Sequence, residues 1–359
     1  MKALVFFGVN DIRYRDDWPE PPEPGYGEVT IRTSWTSICR TDIEEYEQGI
    51  FSPIEKPHPI SGKQVPIIFG HEVSGRIYKK GPGVEGLEIG QKVAIDCVKG
   101  CKKCYWCDRG EYALCENMLV TGQGEDGGYG EYFNTRAENC LPISDNLRED
   151  VAALTEPFAV MIRAAKKARL QVGESVAIVG AGAVGLCGIA AAKVAGASEI
   201  IVVAHGGIKA EAAVKIGATH VLNSFEDNWF GKFNELTDGR GADVVFDTGG
   251  NIEAVRLALK LTKAAGRCIL ASLITEDIPI PGFDMLMREK ELIGSVAHNY
   301  NEEFKWAVRY LEEGRVDLSP MITRRIRLSE GLEKGINIIK TDKSQIKILL
   351  TPHDDWVED

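Results

Sequence analysis

Apolar and polar positions alternate in short stretches over residues 1–155. Stretches such as EVTIRT and QKVAID have the period of two that is typical of half-buried strands. Segments with proline and glycine, such as PEPGYGE and KKGPGVEG, separate them as turns do. The pattern predicts a β-rich domain in this part of the chain.

The pattern changes at about Phe158. Short apolar runs such as SVAIVG, EIIVVAH and ADVVFDTG then alternate with amphipathic segments such as AVMIRAAKKARL. Buried strands that alternate with helices predict a parallel, doubly wound sheet. The last sixty residues return to mixed helix and strand, and we expect them to pack on the first domain.

Length, charge and cysteine content narrow the class of protein. The chain has 359 residues, which suits about two domains. A net charge of −11 argues against a nucleic-acid partner, and no apolar stretch reaches the 18 residues of a membrane span. The first residues become charged too early for a secretory signal, and nine cysteines suit a reducing compartment. We therefore expect a cytoplasmic protein.

Four cysteines lie close together in the segment CKKCYWCDRGEYALC. They are Cys101, Cys104, Cys107 and Cys115. This spacing is typical of a tetrahedral zinc site, and four thiolates leave no coordination position for a substrate. The pattern predicts a structural zinc ion, with a cluster of reduced or disulfide-linked cysteines as the alternative.

A glycine motif follows the apolar run SVAIV. Gly180, Gly182 and Gly185 form G-x-G-x-x-G, with Ala183 and Val184 before the third glycine. Between a strand and a helix, such glycines permit a tight turn and the approach of a pyrophosphate to the helix N-terminus. The motif predicts dinucleotide binding, and the alternative is a glycine turn that only packs a helix.

A third group of residues is dispersed along the chain. Cys39, His71 with Glu72, and Glu156 supply a thiol, an imidazole and carboxylates. A catalytic zinc with one open position uses such donors, although a buried cysteine or histidine is more often structural. The sequence alone does not bring them together.

The chain resembles the zinc-dependent medium-chain dehydrogenases, especially the 2,3-butanediol and polyol dehydrogenases. The resemblance covers nearly the whole length and includes MKALVFFG, SPIEKPHPISGKQVPIIFGHEVSG, the cysteine loop, LTEPFAV, the glycine motif and PMITRRIRLSEGLEKG. It implies an α/β protein with a GroES-like β-rich catalytic domain formed by residues 1–157 and 300–359. Residues 158–299 would form a Rossmann domain. The resemblance also implies a homo-oligomer, a dimer or a tetramer.

The resemblance assigns roles to the dispersed residues. Cys39, His71 and Glu156 fall where the family binds catalytic zinc, and Glu72 lies beside the metal, where it can exchange with water or Glu156. Asp42 would orient the zinc histidine. The chain would then hold two zinc ions, one catalytic and one structural, and the catalytic ion would lower the pKa of a substrate alcohol.

Proton transfer would pass through Thr41. The pattern alone also allows Thr41 and Asp42 to be a helix-capping pair. Two neighbouring positions depart from the butanediol branch. Arg40 stands where many relatives have glycine, and it can contact the cofactor pyrophosphate or lie in solvent. Glu44 stands where relatives often have histidine, so a relay through it would have a different pH profile.

Cofactor preference depends on the end of EIIVVAH. Ala204 occupies the place where NAD-binding relatives have an acid for the ribose 2′-hydroxyl. His205, the backbone amides of Gly206 and Gly207, and Lys209 could bind a 2′-phosphate. The cofactor is therefore NADP or NAD, with NADP favoured.

The predicted function is zinc-dependent, NAD(P)-linked oxidation of a small secondary alcohol, diol or polyol to its ketone. A sugar or cyclitol dehydrogenase is the alternative within the family, and a zinc-ribbon interaction module is the alternative outside enzymes. Position alone places Phe51, Ile54 and Leu119 near the substrate, and no residue identifies which alcohol it is.

Overall fold

A computed structural model describes residues 1–354. The strands are β1 Ala3–Gly8, β2 Asp11–Arg15, β3 Glu28–Ser37, β4 Ile67–Ile68, β5 Glu72–Lys80, β6 Lys92–Ile95, β7 Val98–Lys99, β8 Leu119–Val120, β9 Tyr132–Arg136, β10 Cys140–Pro142, β11 Ser175–Val179, β12 Glu199–Ala204, β13 His220–Asn223, β14 Ala242–Asp247, β15 Thr262–Leu270, β16 Glu291–Gly294, β17 Ile322–Arg327 and β18 Lys347–Thr351.

The helices lie mostly in the second half of the chain. They are α1 Arg40–Gln48, α2 Glu149–Ala152, α3 Thr155–Lys167, α4 Ala183–Ala195, α5 Ile208–Ile216, α6 Trp229–Leu236, α7 Ile252–Leu261, α8 Gly282–Met287, α9 Lys305–Glu312 and α10 Asn337–Thr341. Within the described residues, no helix is both long enough and apolar enough to cross a membrane.

The chain forms two compact units. Within the described residues, the first contains residues 1–156, 298–313 and 322–354, and the second contains residues 157–297 and 314–321. The segment 314–321 lies with the second unit, whereas the predicted bounds place it in the first.

The first unit is built on a seven-stranded sheet of order β10-β6-β5-β3-β18-β17, in which β9 also pairs with β3. All its pairs are antiparallel except β17 with β18. A three-stranded sheet, β2-β1-β4, packs its apolar side chains with those of β18 in one core. Because β18 pairs with β3 and β3 with β5, residues at the start of β18 and of β5 come close together.

The second unit is a six-stranded parallel sheet of order β13-β12-β11-β14-β15-β16. Alternate residues of β11 face opposite sides of it. Ala177 and Val179 pack in the core that includes α6 and α7, while Ile178 approaches α4 at Gly188. This is the predicted doubly wound sheet, and its order equals the 3-2-1-4-5-6 order of dinucleotide-binding folds. The predicted α/β class, with a β-rich domain and a Rossmann domain, is confirmed.

Candidate metal and cofactor sites

The cysteine loop brings four sulfur atoms together. The Sγ atoms of Cys101, Cys104, Cys107 and Cys115 all lie within 4.8 Å of one another. The Cys101–Cys107 and Cys104–Cys115 separations are 4.0 and 3.9 Å. Four thiolates at about 2.3 Å from a tetrahedral zinc would stand about 3.8 Å apart, so the arrangement fits a zinc ion. The backbone N–H of Cys107 helps to lower the pKa of Cys104 to about 6, which favours a thiolate.

A second ligand group lies in the first unit. Donor atoms of Cys39, His71 and Glu72 lie within 4.8 Å of one another. Cys39 caps the N-terminus of α1, His71 directly precedes β5, and Glu72 begins that strand. The structure therefore assembles three of the four predicted catalytic zinc ligands.

Asp42 holds this group from behind. Its carboxylate accepts hydrogen bonds from the Cys39 backbone N–H at 2.9 Å and from the Tyr129 hydroxyl at 2.7 Å. Its other oxygen lies 3.3 Å from His71 Nδ1. Burial lowers the pKa of His71, but Asp42 and the Cys39 sulfur raise it well above the usual value. Asp42 thus both caps the helix and orients the histidine.

The two predicted carboxylate ligands lie in different surroundings. Glu72 is completely buried, and Lys347 Nζ donates to its Oε2 at 2.6 Å. Glu156 lies in the first turn of α3 and does not belong to the group of Cys39 and His71. Its Oε1 lies 3.5 Å from His298 Nδ1 and 3.8 Å from Cys97 Sγ. The role of Glu156 as a zinc ligand stays a prediction.

The predicted proton relay lies at the start of α1. The Cys39 thiol approaches the Thr41 hydroxyl at 3.5 Å. Glu44 is partly buried, and burial raises its pKa although Arg40 opposes the shift. Arg40 Nε lies 3.7 Å from Glu44 Oε1, and its side chain is 66% exposed. A raised pKa suits a carboxylate that exchanges protons nearer neutral pH.

Sequence reasoning missed Asp96, Cys97, His298 and Lys347. Cys97 stands four residues before the cysteine loop, so it was not distinguished from that motif. His298 Nε2 lies 2.9 Å from Asp96 Oδ1. Burial lowers the pKa of His298, but Asp96 and then Glu156 raise it above the usual value. A lone histidine in SVAHNYN carries no local signal of these partners.

The glycine motif lies where β11 meets α4. Gly180 has φ +101, which glycine adopts readily, and Gly182 caps the helix. A Cβ at Gly185 would lie 2.0 Å from the Gly180 carbonyl oxygen, whereas a Cβ at Gly182 would meet nothing within 4 Å. Gly185 therefore permits close packing, and Gly182 leaves open space before the helix N-terminus, as a bound pyrophosphate requires.

The predicted ribose site lies at the end of β12. Ala204 is the last residue of the strand, and the His205 ring packs against Phe225 with ring centroids 4.3 Å apart. Gly206 and Gly207 both have positive φ, and Gly207 caps α5. Backbone N–H groups at the start of α5 and an imidazole thus lie beside the position that lacks an acid.

The residues expected near a substrate lie on two segments. The backbone N–H of Phe51 donates to the buried Glu45 carboxylate at 2.7 Å, and the Phe51 side chain is 46% exposed. Ile54 packs against the core around β1, and Leu119 is buried in β8. Their contact with a substrate stays a prediction.

The second unit has a parallel sheet with a glycine motif, and the first unit has two groups of zinc-type ligands. Together these features define a zinc-dependent, nucleotide-linked dehydrogenase. Two family models match the chain: the alcohol dehydrogenase GroES-like domain over residues 25–145 and the zinc-binding dehydrogenase over residues 183–313. The chain belongs to the zinc-dependent medium-chain alcohol dehydrogenase family, and it is an oxidoreductase.

Curated relatives match nearly the whole chain. The (R,R)-butanediol dehydrogenase of Bacillus subtilis is 32% identical, covering 98% of this chain and 100% of the relative. L-threonine 3-dehydrogenase of Pyrococcus abyssi is 34% identical over 90% and 91%. Sorbitol dehydrogenase of Bacillus subtilis is 30% identical over 98% of both chains.

Solved structures share the fold. The crystal structure of 2R,3R-butanediol dehydrogenase from Bacillus subtilis has a TM-score of 0.90 at 31% identity, covering 98% of this chain and 99% of that one. A zinc-binding dehydrogenase from Sinorhizobium meliloti 1021, solved with NADP, has a TM-score of 0.86 at 26% identity with the same coverage. The predicted family and the predicted enzyme class are confirmed.

Proposed function

We propose that this protein interconverts a small secondary alcohol, a diol or polyol such as 2,3-butanediol, with its ketone by hydride transfer to NAD(P). The observation that carries the proposal is the group of Cys39, His71 and Glu72, whose donor atoms lie within 4.8 Å of one another. Relatives named for butanediol and sorbitol support a vicinal diol or polyol as substrate.

The donor set fits a catalytic zinc ion. One thiol, one imidazole and one carboxylate leave a fourth position for substrate, and Asp42 supplies the carboxylate that commonly orients a zinc histidine. When bound, zinc supplies Lewis acidity that lowers the pKa of the substrate hydroxyl. Glu72 is the carboxylate present in this group, and Glu156 is proposed to exchange with it.

The chain's own residues would carry the proton. Thr41 would accept the proton of the substrate hydroxyl, and Glu44, with its raised pKa, would pass it towards solvent. Arg40 is proposed to contact the cofactor pyrophosphate. Within the second unit, the amides that follow Gly182 at the start of α4 offer an anion site.

The proposed cofactor preference is NADP over NAD. Ala204 presents no carboxylate to repel a 2′-phosphate, and His205, the Gly206 and Gly207 amides, and Lys209 could receive one. The bound NADP of the Sinorhizobium structure supports this choice. The four-cysteine site would hold a second, structural zinc ion.

The assembly and location follow the same proposal. Residues 1–157 with 300–359 would be the catalytic domain, and residues 158–299 the cofactor domain. We propose a cytoplasmic homo-oligomer, a dimer or a tetramer, whose mass light scattering would measure. The nine cysteines are all free thiols in the described structure, in keeping with a reducing compartment.

A substrate panel with both cofactors tests the function. It should include 2,3-butanediol, acetoin, sorbitol, a cyclitol and L-threonine, because the relatives include a threonine dehydrogenase. His71→Ala should abolish turnover and remove the catalytic zinc, whereas the matched variant His58→Ala should keep both. Preference for a sugar or cyclitol would support the alternative enzyme, and no turnover of any diol or polyol with either cofactor would contradict the proposal.

Cofactor choice needs its own variants. Ala204→Asp should lower kcat/KM with NADP sharply and improve it with NAD, because like charges would meet at the 2′-phosphate. His205→Ala and Lys209→Ala should weaken NADP use alone. A parent that prefers NAD strongly and ignores all three changes would contradict the proposed ribose site.

A further inference from the structure

A third group of metal-type donors lies in the first unit, outside the two groups described so far. Donor atoms of Asp96, Cys97 and His298 lie within 4.8 Å of one another, and all three residues are buried. Asp96 and Cys97 follow β6, and His298 follows β16 along the chain. The Glu156 side chain joins them from the first turn of α3.

The two separations that involve Glu156 match a tetrahedral metal site. Glu156 Oε1 lies 3.8 Å from Cys97 Sγ and 3.5 Å from His298 Nδ1. For zinc, with bonds of about 2.3 Å to sulfur and about 2.0 Å to nitrogen or oxygen, a tetrahedron places these pairs about 3.5 and about 3.3 Å apart. The observed distances therefore exceed the expected ones by only about 0.2–0.3 Å.

The orientation of His298 supplies an independent indication. Its ring is 0% exposed, and within the described residues its Nδ1 atom makes no hydrogen bond, although Glu156 Oε1 lies 3.5 Å away. A buried polar atom without a hydrogen bond is costly unless something binds it. The opposite atom, Nε2, lies 2.9 Å from Asp96 Oδ1, and Asp96 is itself fixed by the Val98 backbone N–H at 2.8 Å. His298 Nδ1 and Glu156 Oε1 therefore face each other across 3.5 Å without a hydrogen bond, and a cation can bind both atoms.

The arrangement repeats the chemistry of the Cys39 group. There, Asp42 lies behind His71 beside one thiol and one carboxylate. Here, Asp96 lies behind His298 beside Cys97 and Glu156. A carboxylate behind a histidine fixes the tautomer that binds a metal.

We propose that Cys97, His298 and Glu156 form a third metal site, which takes a borderline-soft divalent cation such as Zn²⁺ or Co²⁺. Asp96 orients His298, and the fourth position is open. Binding releases the thiol proton of Cys97 to solvent, as thiolate coordination requires. The site shares Glu156 with the proposed catalytic group, in which Glu72 is the carboxylate present, and otherwise goes beyond the proposed function.

Metal content of the full-length protein tests the proposal. After equilibration with excess zinc and gel filtration, the parent should hold about three zinc ions per chain and Cys97→Ser about two. The matched control is Cys140→Ser, which changes another buried cysteine of the first unit and should keep about three. Asp96→Asn should weaken the third site about 10–100-fold.

Cobalt separates this site from the catalytic group. In a Cys39→Ser/His71→Ala background, whose closed cysteine site keeps zinc, added Co²⁺ should give thiolate-to-cobalt charge-transfer absorption. The same background with Cys97→Ser should lose that absorption, whatever becomes of turnover. Equal metal content and equal spectra in the Cys97 and Cys140 variants would overturn the site.

Crystals of the unmodified protein give an answer that does not depend on variants. Soaked in zinc, they should show an anomalous peak between Cys97, His298 and Glu156. A vacant position at saturating zinc would show that His298 serves only as a charged link between Asp96 and Glu156, and would overturn the inference.

Discussion

Lys347 and Glu72 form an ion pair whose side chains are almost completely buried in the first unit. Exposure is 2% for the lysine side chain and 0% for the glutamate. Lys347 Nζ donates to Glu72 Oε2 at 2.6 Å and lies 3.4 Å from the Ile38 carbonyl oxygen. Lys347→Met fills a similar volume but leaves the carboxylate without its cation. Removal of one partner from a buried pair costs about 3–5 kcal/mol, because an uncompensated charge remains.

The same change, Lys347→Met, should strengthen metal binding although it destabilises the fold. A Glu72 carboxylate that has lost Lys347 can regain a positive partner from the metal beside Cys39 and His71. We therefore expect zinc to bind Lys347→Met about tenfold more tightly, which equals about 1.4 kcal/mol. By linkage, the variant should be about 1.4 kcal/mol less destabilised with zinc at saturation than without it.

Urea unfolding with and without zinc measures the first effect, and competition with a chromophoric chelator measures the second. Lys340→Met is the matched control, because Lys340 pairs with Glu47 at 2.8 Å with 31% of its side chain exposed. It should cost less than about 1 kcal/mol. The double variant Lys347→Met/Glu72→Gln should regain most of the stability. A loss below about 1 kcal/mol in the metal-free single variant, or weaker zinc binding, would refute the reasoning.

Three further predictions concern other parts of the sites. Gly182→Ala should fold normally and lose cofactor affinity. Gly185→Ala, whose Cβ would lie 2.0 Å from a carbonyl oxygen, should also lower the melting temperature. Equal melting temperatures in the two variants would contradict this. Asp42→Asn should weaken catalytic zinc binding about 10–100-fold in chelator competition, and unchanged affinity would contradict its orienting role. Burial opposes ionisation of Asp243, but Lys263 and a neighbouring serine lower its pKa to about 2, so Asp243→Asn should cost about 1–2 kcal/mol. Because the folded pKa lies below the ordinary value, that cost should be complete at pH 6 and shrink as the pH falls from about 4 to about 2, which urea unfolding at both ends would measure.

The second unit was predicted well because its strands are buried on both faces. The runs SVAIVG and EIIVVAH contain β11 and β12 almost residue for residue, and the glycine motif lies between β11 and α4 as expected. Short apolar runs with helices between them have few other solutions than a parallel sheet. The predicted helix bounds were less accurate where packing outweighed local helix propensity. Helix α3, for example, begins at Thr155, before the predicted helix.

The cysteine loop could also be read from its spacing, since its four ligands lie within fifteen residues. The partners of the dispersed ligands could not. Lys347 reaches Glu72 across 275 positions, and His298 reaches Asp96 across 202. Lys347, in QIKILL, looks like any other polar residue in a strand, so the local sequence does not mark it as the partner of Glu72. Only the pairing of β18 with β3 and of β3 with β5 brings it to the carboxylate.

These long-range partners bear on the choice between Glu72 and Glu156 as the carboxylate of the catalytic metal. From the sequence both are available, and the position of Glu72 directly after His71 does not decide between them. In the structure each has a dedicated buried partner, Lys347 for Glu72 and His298 for Glu156. The carboxylate that binds metal is therefore the one whose transfer from its partner to the metal gains more free energy. Lys347→Met removes the partner of Glu72, and a His298 variant removes the partner of Glu156. Metal affinity in the two variants would therefore reveal which carboxylate is bound.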